Sequence, residues 1–371
     1  MKHAAVLGCG AYLKNRACLF DGEQVHWSPH HGDLGDPAAC AALADSIEAL
    51  AQRGPLQALA HDLHPDFHST RLALAVARRL GVPAVAVQHH HAHIGVVLAE
   101  HRVDRPVIGL ALDGVGLGSD GHAWGGEVLW VGARARWRRI DHLAPLRLPG
   151  GDMAAREPWR LAAAVLHAAG RGEQIVPRFA AQVGEAAARL LQAMLQRGLN
   201  CPPSSAAGRW FDAAAGALGL STRQSAEAEA AVALERAAAA WLDMHPGFEF
   251  SWPSLDLQPL LLQLLDLAPE GSEAVARGAA MFHLGLADAL ARRAIAAATD
   301  TGVHAVVLAG GCLANALLRE RLRRALDGAG LQVLQARTAG CGDAGLALGQ
   351  AWVAAAACRA GATGNALAQE A

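Results

Sequence analysis

The chain has 371 residues, 53% hydrophobic and 18% charged, which is enough for two domains or one large two-lobed domain. Its 32 Lys and Arg against 34 Asp and Glu give a net charge of −2, so the basic surplus of a nucleic-acid binder is missing. No apolar run reaches the roughly 18–20 residues of a membrane span, and the start Met1-Lys2-His3 does not resemble a signal peptide. The seven cysteines form no C-x-x-C pair, which argues against a structural zinc site. Their odd number fits a reducing cytoplasm.

The first part of the chain predicts alternating strands and helices. The predicted strands are Ala4–Leu7, Ala17–Phe20, Gln24–Ser28, Ala58–Ala60 and Ala84–Val87. Helices are predicted over Asp45–Arg53, from a cap at Ser69 or Thr70 to Leu80, and from about His89 onward. We place residues 1–105 in a first lobe and expect residues 335–371 to complete it.

A second unit begins at Val107–Leu112, an apolar run typical of a buried strand. Hairpin-like strands, a long helical region and a final α/β portion follow it. The predicted strands are Glu127–Val131, Trp137–His142, Ala305–Ala309 and Leu331–Leu334. The amphipathic helical stretches are Arg178–Arg197, Glu227–Leu242 and Ala274–Ala298, and Asp343–Ala357 is predicted as a closing helix. We therefore expect a second lobe over 106–334, with a helical insertion at about 156–300, and a cleft between two similar lobes.

Four histidines follow the strand that ends at Val87. In a helix that starts here, His89 and His93 lie one turn apart and project side by side, an arrangement that commonly holds a transition metal. His90 then points elsewhere, toward substrate or toward groups that support the ligands. The alternative is a solvated histidine cluster, but the carboxyl end of a buried strand is where α/β proteins bind ligands.

Two carboxylates are candidates to complete such a site. Asp113 ends the predicted strand Val107–Leu112 and precedes a glycine-rich segment, 114–121, whose bare backbone suits a metal or phosphate site. Its alternative is an ordinary Asp-Gly hairpin turn. Asp343 precedes an apolar helix and can act as its N-cap, a role compatible with metal binding.

These segments, in this order, resemble the Kae1-like carbamoyltransferase domain of the hydrogenase maturation factor HypF. The stretches that carry the resemblance are Gly8–Asn15 (GCGAYLKN), Asp62–Thr70 (DLHPDFHST), Val87–Ile94 (VQHHHAHI), Leu112–Glu127 (LDGVGLGSDGHAWGGE), Leu148–Arg160 (LPGGDMAAREPWR), Pro203–Asp212 (PSSAAGRWFD), Leu308–Asn315 (LAGGCLAN) and Gly342–Gln350 (GDAGLALGQ). Gly342 stands where the family usually has Asn.

The resemblance implies an α/β, two-lobed, actin-like ATPase (ASKHA) fold with nucleotide and metal in the cleft between lobes. It implies that His89, His93, Asp113 and Asp343 bind a divalent cation, for which iron or zinc is favoured over magnesium because of the imidazoles. Lys14, His90 and Asp113 are the implied catalytic residues. The residues implied around an adenylate are Gly114, Gly116, Glu127, Gly151, Asp152, Gly310, Gly311 and Asn315.

The implied reaction moves a carbamoyl group from carbamoyl-AMP, derived from ATP, to the C-terminal cysteine of a HypE-type acceptor protein. A separate YrdC-like protein would supply carbamoyl-AMP, because no YrdC-like, acylphosphatase or zinc-finger segment is recognisable. We expect no nucleic-acid partner and no membrane association. Two alternatives stay open at this point: transfer to a small-molecule hydroxyl, and a non-catalytic nucleotide-binding paralogue.

Overall fold

The structure, a computed structural model, describes residues 5–360. The predictions for residues 1–4 and 361–371, including the start of the first strand and the end of the completing segment, therefore lie outside the described residues. Among residues 5–360, no helix combines the length and apolar character of a bilayer span.

The first sheet has the strand order β3-β2-β1-β4-β5, with β1 to β3 antiparallel and β4 and β5 parallel to β1. Its strands and the helices of this part are β1 (Val6–Gly8), β2 (Cys18–Phe20), β3 (Val25–Trp27), α1 (Pro37–Ala51), β4 (Ala58–Asp62), α2 (His68–Leu80), β5 (Ala84–Val87) and α3 (His89–His101). Alternation along β1 sends Leu7 to the face covered by α1 and α2 and Val6 to the opposite face.

The helix predicted over Asp45–Arg53 in fact begins at Pro37. The Asp36 carboxylate accepts a hydrogen bond from Ala38 N, and Pro37 occupies the first turn, where its missing N–H is harmless. Local capping thus extends the helix beyond the segment that periodicity had marked.

The second sheet repeats the order of the first. Strands β8-β7-β6 are antiparallel, and β11 and β12 continue parallel to β6. The strands are β6 (Val107–Leu117), β7 (Ala123–Val131), β8 (Trp137–His142), β9 (Leu146–Arg147), β10 (Pro203–Ser204), β11 (Ala305–Ala309) and β12 (Gln332–Gln335). The predicted α/β class with two actin-like lobes is confirmed by this repeated sheet order.

Helices fill most of the chain between β9 and β11 and enclose the larger apolar core. The remaining helices are α4 (Met153–Arg156), α5 (Trp159–Ala168), α6 (Ile175–Val183), α7 (Glu185–Arg197), α8 (Ala207–Ala217), α9 (Glu229–Met244), α10 (Gln258–Leu267), α11 (Ser272–Thr301), α12 (Ala316–Gly328) and α13 (Leu346–Arg359). The single stretch predicted over Arg178–Arg197 is wrong, because the chain breaks at Gly184, whose φ is +88°.

Two helices pack against each other where the lobes meet. Helix α13 covers the first sheet, although it follows the second in sequence, and α3 packs on β6 and β11 of the second sheet. Their crossing is close: a Cβ at Gly349 would lie 1.8 Å from the carbonyl oxygen of Ala92. The crossing therefore places the first turn of α3 deep between the lobes.

Candidate functional site

The first turn of α3 carries the histidine cluster. Gln88 caps the helix, its Oε1 accepting a hydrogen bond from His91 N at 2.9 Å. His89 and His93 are both buried, and their ring centroids lie 4.9 Å apart. The predicted one-turn pairing of these imidazoles is present, and a solvated cluster is excluded by their burial.

Asp113 reaches the same point from the second sheet. It lies within β6, which continues past the predicted end at Leu112, and the pairing with β7 shifts register between Leu112 and Gly116. Its Oδ1 accepts a hydrogen bond from Gly311 N at 3.1 Å. Its Oδ2 stands 3.3 Å from His89 Nε2 and 3.5 Å from His93 Nε2. Asp113 is thus an anchored in-strand carboxylate and not a hairpin turn residue.

Asp343 closes the group from the loop between β12 and α13. Its Oδ1 lies 3.4 Å from His93 Nε2 and 3.7 Å from His89 Nε2. The four candidate ligand atoms all lie within 4.8 Å of one another. Asp343 is the least buried member, with 22% of its side chain exposed, so the group is accessible from its side.

The geometry of these four residues fits a metal ion. Ligands bonded at 2.0–2.1 Å in a tetrahedral site stand about 3.3 Å apart, close to the nitrogen–oxygen distances of 3.3 to 3.7 Å found here. His93 Nε2 is buried without a hydrogen-bond partner of good geometry, and such an atom is costly unless something binds it. The mixed nitrogen and oxygen donors suit zinc or iron, whereas magnesium prefers oxygen alone.

Asp62, at the end of β4, supports His89 from behind. Its Oδ2 accepts a hydrogen bond from His89 Nδ1 at 2.7 Å, and its Oδ1 accepts one from His64 N at 2.9 Å. Such a carboxylate fixes the tautomer of a metal-binding histidine and directs the other nitrogen to the metal. Sequence reasoning missed this role, although a strand-terminal Asp at the sheet edge that also carries His89 was a usable signal.

The carboxylates determine the electrostatics of the site. Burial opposes charge on His89, but Asp62, Asp113 and Asp343 outweigh it and raise the pKa of the imidazole well above its usual value. Burial likewise opposes charge on Asp113, yet His89 and His93 hold the pKa of that carboxyl well below its usual range. Asp113 is therefore ionised at neutral pH, as binding of a cation requires.

His90 is packed in the interior beside the candidate ligands. Its ring is fully buried against Trp124, and its Nδ1 accepts a hydrogen bond from Gln88 Nε2 at 3.0 Å. A Cβ at Gly116 would lie 2.6 Å from the ring of His89 and 2.9 Å from that of His90. His90 therefore packs beside the candidate ligands, and Gly116 makes room for both imidazoles. The contacts of His90 with substrate and of Gly116 with an adenylate stay predictions.

Glu127 forms hydrogen bonds inside the second lobe. It is fully buried in β7. Its Oε1 accepts hydrogen bonds from Gly125 N, Gly126 N and Ser205 Oγ, and its Oε2 accepts one from Arg139 Nε at 2.6 Å. Both oxygens are thus engaged within the protein, where Glu127 ties the β6–β7 hairpin to Ser205 just before α8, and its nucleotide contact stays a prediction.

The side chain of Asn315 is likewise occupied. Its Oδ1 caps α12 by accepting a hydrogen bond from Leu318 N at 2.8 Å, and its Nδ2 lies 2.9 Å from His283 Nε2. His283 Nδ1 in turn donates to Ala279 O at 2.9 Å. Asn315 therefore caps α12 in this structure, and its nucleotide contact stays a prediction.

The glycines nearest Asp113 have separate tasks. Gly310 has a φ of +99°, and a Cβ there would lie 2.3 Å from Leu112 O, so only glycine fits. Gly311 supplies the N–H that binds Asp113. Gly114 has no heavy atom within 4 Å of where its Cβ would stand, so space is open there for a ligand.

Lys14, Gly151 and Asp152 lie in loops whose ligand contacts stay predictions. Lys14 Nζ pairs with Glu227 at 2.8 Å, with both side chains more than half exposed. Gly151 and the exposed Asp152 lie between β9 and α4, where Gly151 approaches Asn200.

Comparison with known proteins agrees with this architecture. Residues 1–100 match the family described as "HypF Kae1-like domain", and residues 109–350 match "Carbamoyltransferase, Kae1-like Domain, second subdomain". A "Carbamoyltransferase HypF homolog" of Cupriavidus necator is 58% identical over 95% of this chain and 92% of that protein. The chain belongs to the HypF family. The resemblance inferred from the sequence motifs is thereby confirmed.

Other HypF proteins are longer. Carbamoyltransferase HypF of Rhizobium leguminosarum is 39% identical over 93% of this chain, which spans 44% of that protein. A crystal structure of full-length HypF in a phosphate- and nucleotide-bound form superimposes with a TM-score of 0.84 at 29% identity, covering 98% of this chain and 57% of that chain. The chain thus spans about half the length of these two HypF proteins.

Proposed function

We propose that this HypF-type chain is a metal-dependent carbamoyltransferase. It takes the carbamoyl group from carbamoyl-AMP and passes it to the C-terminal cysteine of a HypE-type protein in nickel–iron hydrogenase maturation. The observation that carries the proposal is the convergence of His89, His93, Asp113 and Asp343, from three separate segments of the chain, with ligand atoms within 4.8 Å of one another and open space at the neighbouring Gly114. Membership of a family named for carbamoyl transfer supports the choice of group.

The proposed reaction is a nucleophilic acyl substitution. The acceptor sulfur attacks the carbamoyl carbon, a C–S bond forms, the C–O bond to phosphate breaks, and AMP leaves with the electron pair while the thiol proton passes to solvent. A divalent cation held by the four residues would polarise an oxygen of the mixed anhydride and offset charge on the leaving phosphate. The donor set favours zinc or iron for this role.

The chain's own residues supply positioning and exclusion of water. Asp62 orients His89, and Gly311 N–H orients Asp113. The ligands from α3 and β6 are buried, whereas Asp343 is partly exposed and Gly114 has open space beside it, and the mixed anhydride is proposed to lie against these two residues. Lys14 is proposed to meet its phosphate, and a YrdC-like protein is proposed to supply the activated carbamoyl group.

A transfer assay tests the proposal. The purified chain, loaded with Zn²⁺ or Fe²⁺, is incubated with carbamoyl-AMP and a HypE-type protein, and carbamoylation of the acceptor cysteine is followed by intact mass. We expect transfer that is lost after chelation and in His93→Ala, but retained in His122→Ala, whose side chain is 59% exposed. Absence of transfer with metal present, or transfer that survives chelation, would overturn the proposal, and transfer only to hydroxyl compounds would overturn the acceptor assignment.

A further inference from the structure

The C-terminal end of α3 grips the segment that leads to Asp343. Glu100 Oε2 accepts a hydrogen bond from Arg337 N at 2.5 Å, and its Oε1 accepts three more, from Thr338 N, Thr338 Oγ1 and Ala339 N, at 2.7–2.8 Å. The neighbouring His101 Nε2 donates to Gln335 O at 2.8 Å. One helix turn therefore holds the chain continuously from the end of β12 to Ala339.

This contact is stronger than an ordinary loop attachment. Consecutive backbone N–H groups converging on one anion form a concave nest, and hydrogen bonds to a charged acceptor are about twice as strong as neutral ones. Partial burial opposes ionisation of Glu100, but the bonds from Arg337, Thr338 and Ala339 outweigh it and lower the pKa of the carboxyl. Glu100 is thus a charged clamp on this segment.

The clamped segment is coupled rigidly to Asp343. Ala339 O lies 2.8 Å from where a Cβ on Gly345 would stand, so Ala339 packs directly on the turn that contains Asp343. Within that turn Gly345 N donates to Gly342 O at 3.1 Å, and Gly310 N donates to Cys341 O at 3.0 Å. A shift of Ala339 therefore acts directly on the turn that contains Asp343.

We infer that Glu100 is a positioning residue for the metal centre. By clamping segment 337–339 onto α3, it sets the distance of Asp343 from His93 and His89, which the same helix carries about two and three turns away. The inference rests on the metal site of the proposed function. It extends that site to a surface carboxylate that touches none of the four ligands.

Titration with Co²⁺ alone tests this role without any need for turnover. In Glu100→Gln the negative charge is lost and an NH₂ group faces backbone N–H donors. We therefore expect the Kd for Co²⁺ to rise about tenfold, which is at the low end of the affinity losses caused by changing residues that support metal ligands. The visible Co²⁺ spectrum should shift toward that of Asp343→Asn, because the same ligand is displaced. Glu48→Gln is the matched control. It removes an exposed carboxylate of α1 that pairs with Arg79 of α2, and this variant should bind Co²⁺ like the wild type.

A double variant separates positioning from general weakening of the fold. In an Asp343→Asn background, Glu100→Gln should raise the Kd no further, because the ligand it positions is already lost. Thr338→Val removes only the Oγ1 bond and provides a second variant if Glu100→Gln unfolds; its Kd should rise about two- to threefold. If wild type binds Co²⁺ and Glu100→Gln binds equally well, or if the two changes are additive, the inference is overturned, whereas failure of wild type to bind Co²⁺ overturns the metal site itself.

Discussion

Asp62 decides which nitrogen of His89 faces the other ligands. Because the Asp62 carboxylate accepts a hydrogen bond from Nδ1 at 2.7 Å, Nε2 is the ring nitrogen that faces Asp113 and Asp343 and is available to bind a metal. Asp62 is fully buried, so its charge acts on the imidazole with little screening.

Replacing Asp62 by Asn should therefore weaken metal binding with little change in ligand geometry. The amide oxygen can still accept from Nδ1, but the ring becomes a poorer donor, and we expect the Kd for Zn²⁺ or Co²⁺ to rise about tenfold or more. Asp66→Asn, in the same loop but exposed and paired with Arg71, is the control and should bind normally. Equal affinity in Asp62→Asn and wild type would remove Asp62 from the site.

Metal binding should strengthen as the pH rises. The pKa of His89 is raised above 6.5 in the metal-free protein, so the ring keeps a proton that a cation must displace. Apparent affinity for Co²⁺ should therefore climb through neutrality and level off only above that raised pKa. Titrations between pH 5.5 and 9 measure the effect, and a flat profile from pH 6 to 8 would contradict it.

Folding stability of the metal-free protein should respond to His89 in the opposite sense. A group whose folded pKa is raised contributes stability that is complete below the unfolded pKa and is lost as the pH rises through the folded one. The same proton that hinders metal binding thus stabilises the empty site.

Helices α3 and α13 cross closely because each has a glycine at the crossing. Gly95 and Gly349 let the two backbones approach, and a Cβ at Gly349 would lie 1.8 Å from Ala92 O, within backbone that cannot rotate aside. Since α3 carries His89 and His93, and α13 follows Asp343, this crossing also sets the site.

Gly349→Ala should therefore destabilise the protein and impair metal binding together. We expect a loss of about 3 kcal/mol in the free energy of unfolding, at the upper end for overpacking, measured by urea denaturation. Gly54→Ala, where no atom lies within 4 Å of the added Cβ, is the matched control and should change little. Wild-type stability in Gly349→Ala would mean that the helices cross less closely than described.

Across the cleft, Lys14 of the first lobe pairs with Glu227, which precedes α9 in the second-lobe part of the chain. Side chains that are 59% and 64% exposed make this pair worth less than about 1 kcal/mol to stability. The carboxylate of Glu227 would compete with a nucleotide phosphate for the ammonium group of Lys14.

Glu227→Gln should consequently leave the melting temperature unchanged and lower the Kd for AMP severalfold, because Lys14 is released. Lys14→Met should raise that Kd, and both effects should shrink at high salt. Calorimetric titration with AMP measures them, with Glu185→Gln, which pairs with Arg189 on α7, as control. Weaker AMP binding in Glu227→Gln would rule out this competition.

Local patterns in the sequence predicted the α/β class, most strands and the histidine pair on α3, since each depends on spacing within one element. The start of α1 and the break at Gly184 were missed because capping and a positive φ are single-residue effects that periodicity does not register. The distinct motifs in their order along the chain also indicated the HypF family, which the matches to two family models then confirmed.

Contacts between distant segments required the folded chain. Glu100 and Gly349 have no local signature of their own. The hydrogen bonds that Asp62, Glu127 and Asn315 make are visible only in the folded chain. Spacing reports which side chains share a face of one helix or strand. Which donors and acceptors satisfy one another depends on how two sheets and the α3–α13 crossing bring residues hundreds of positions apart into contact.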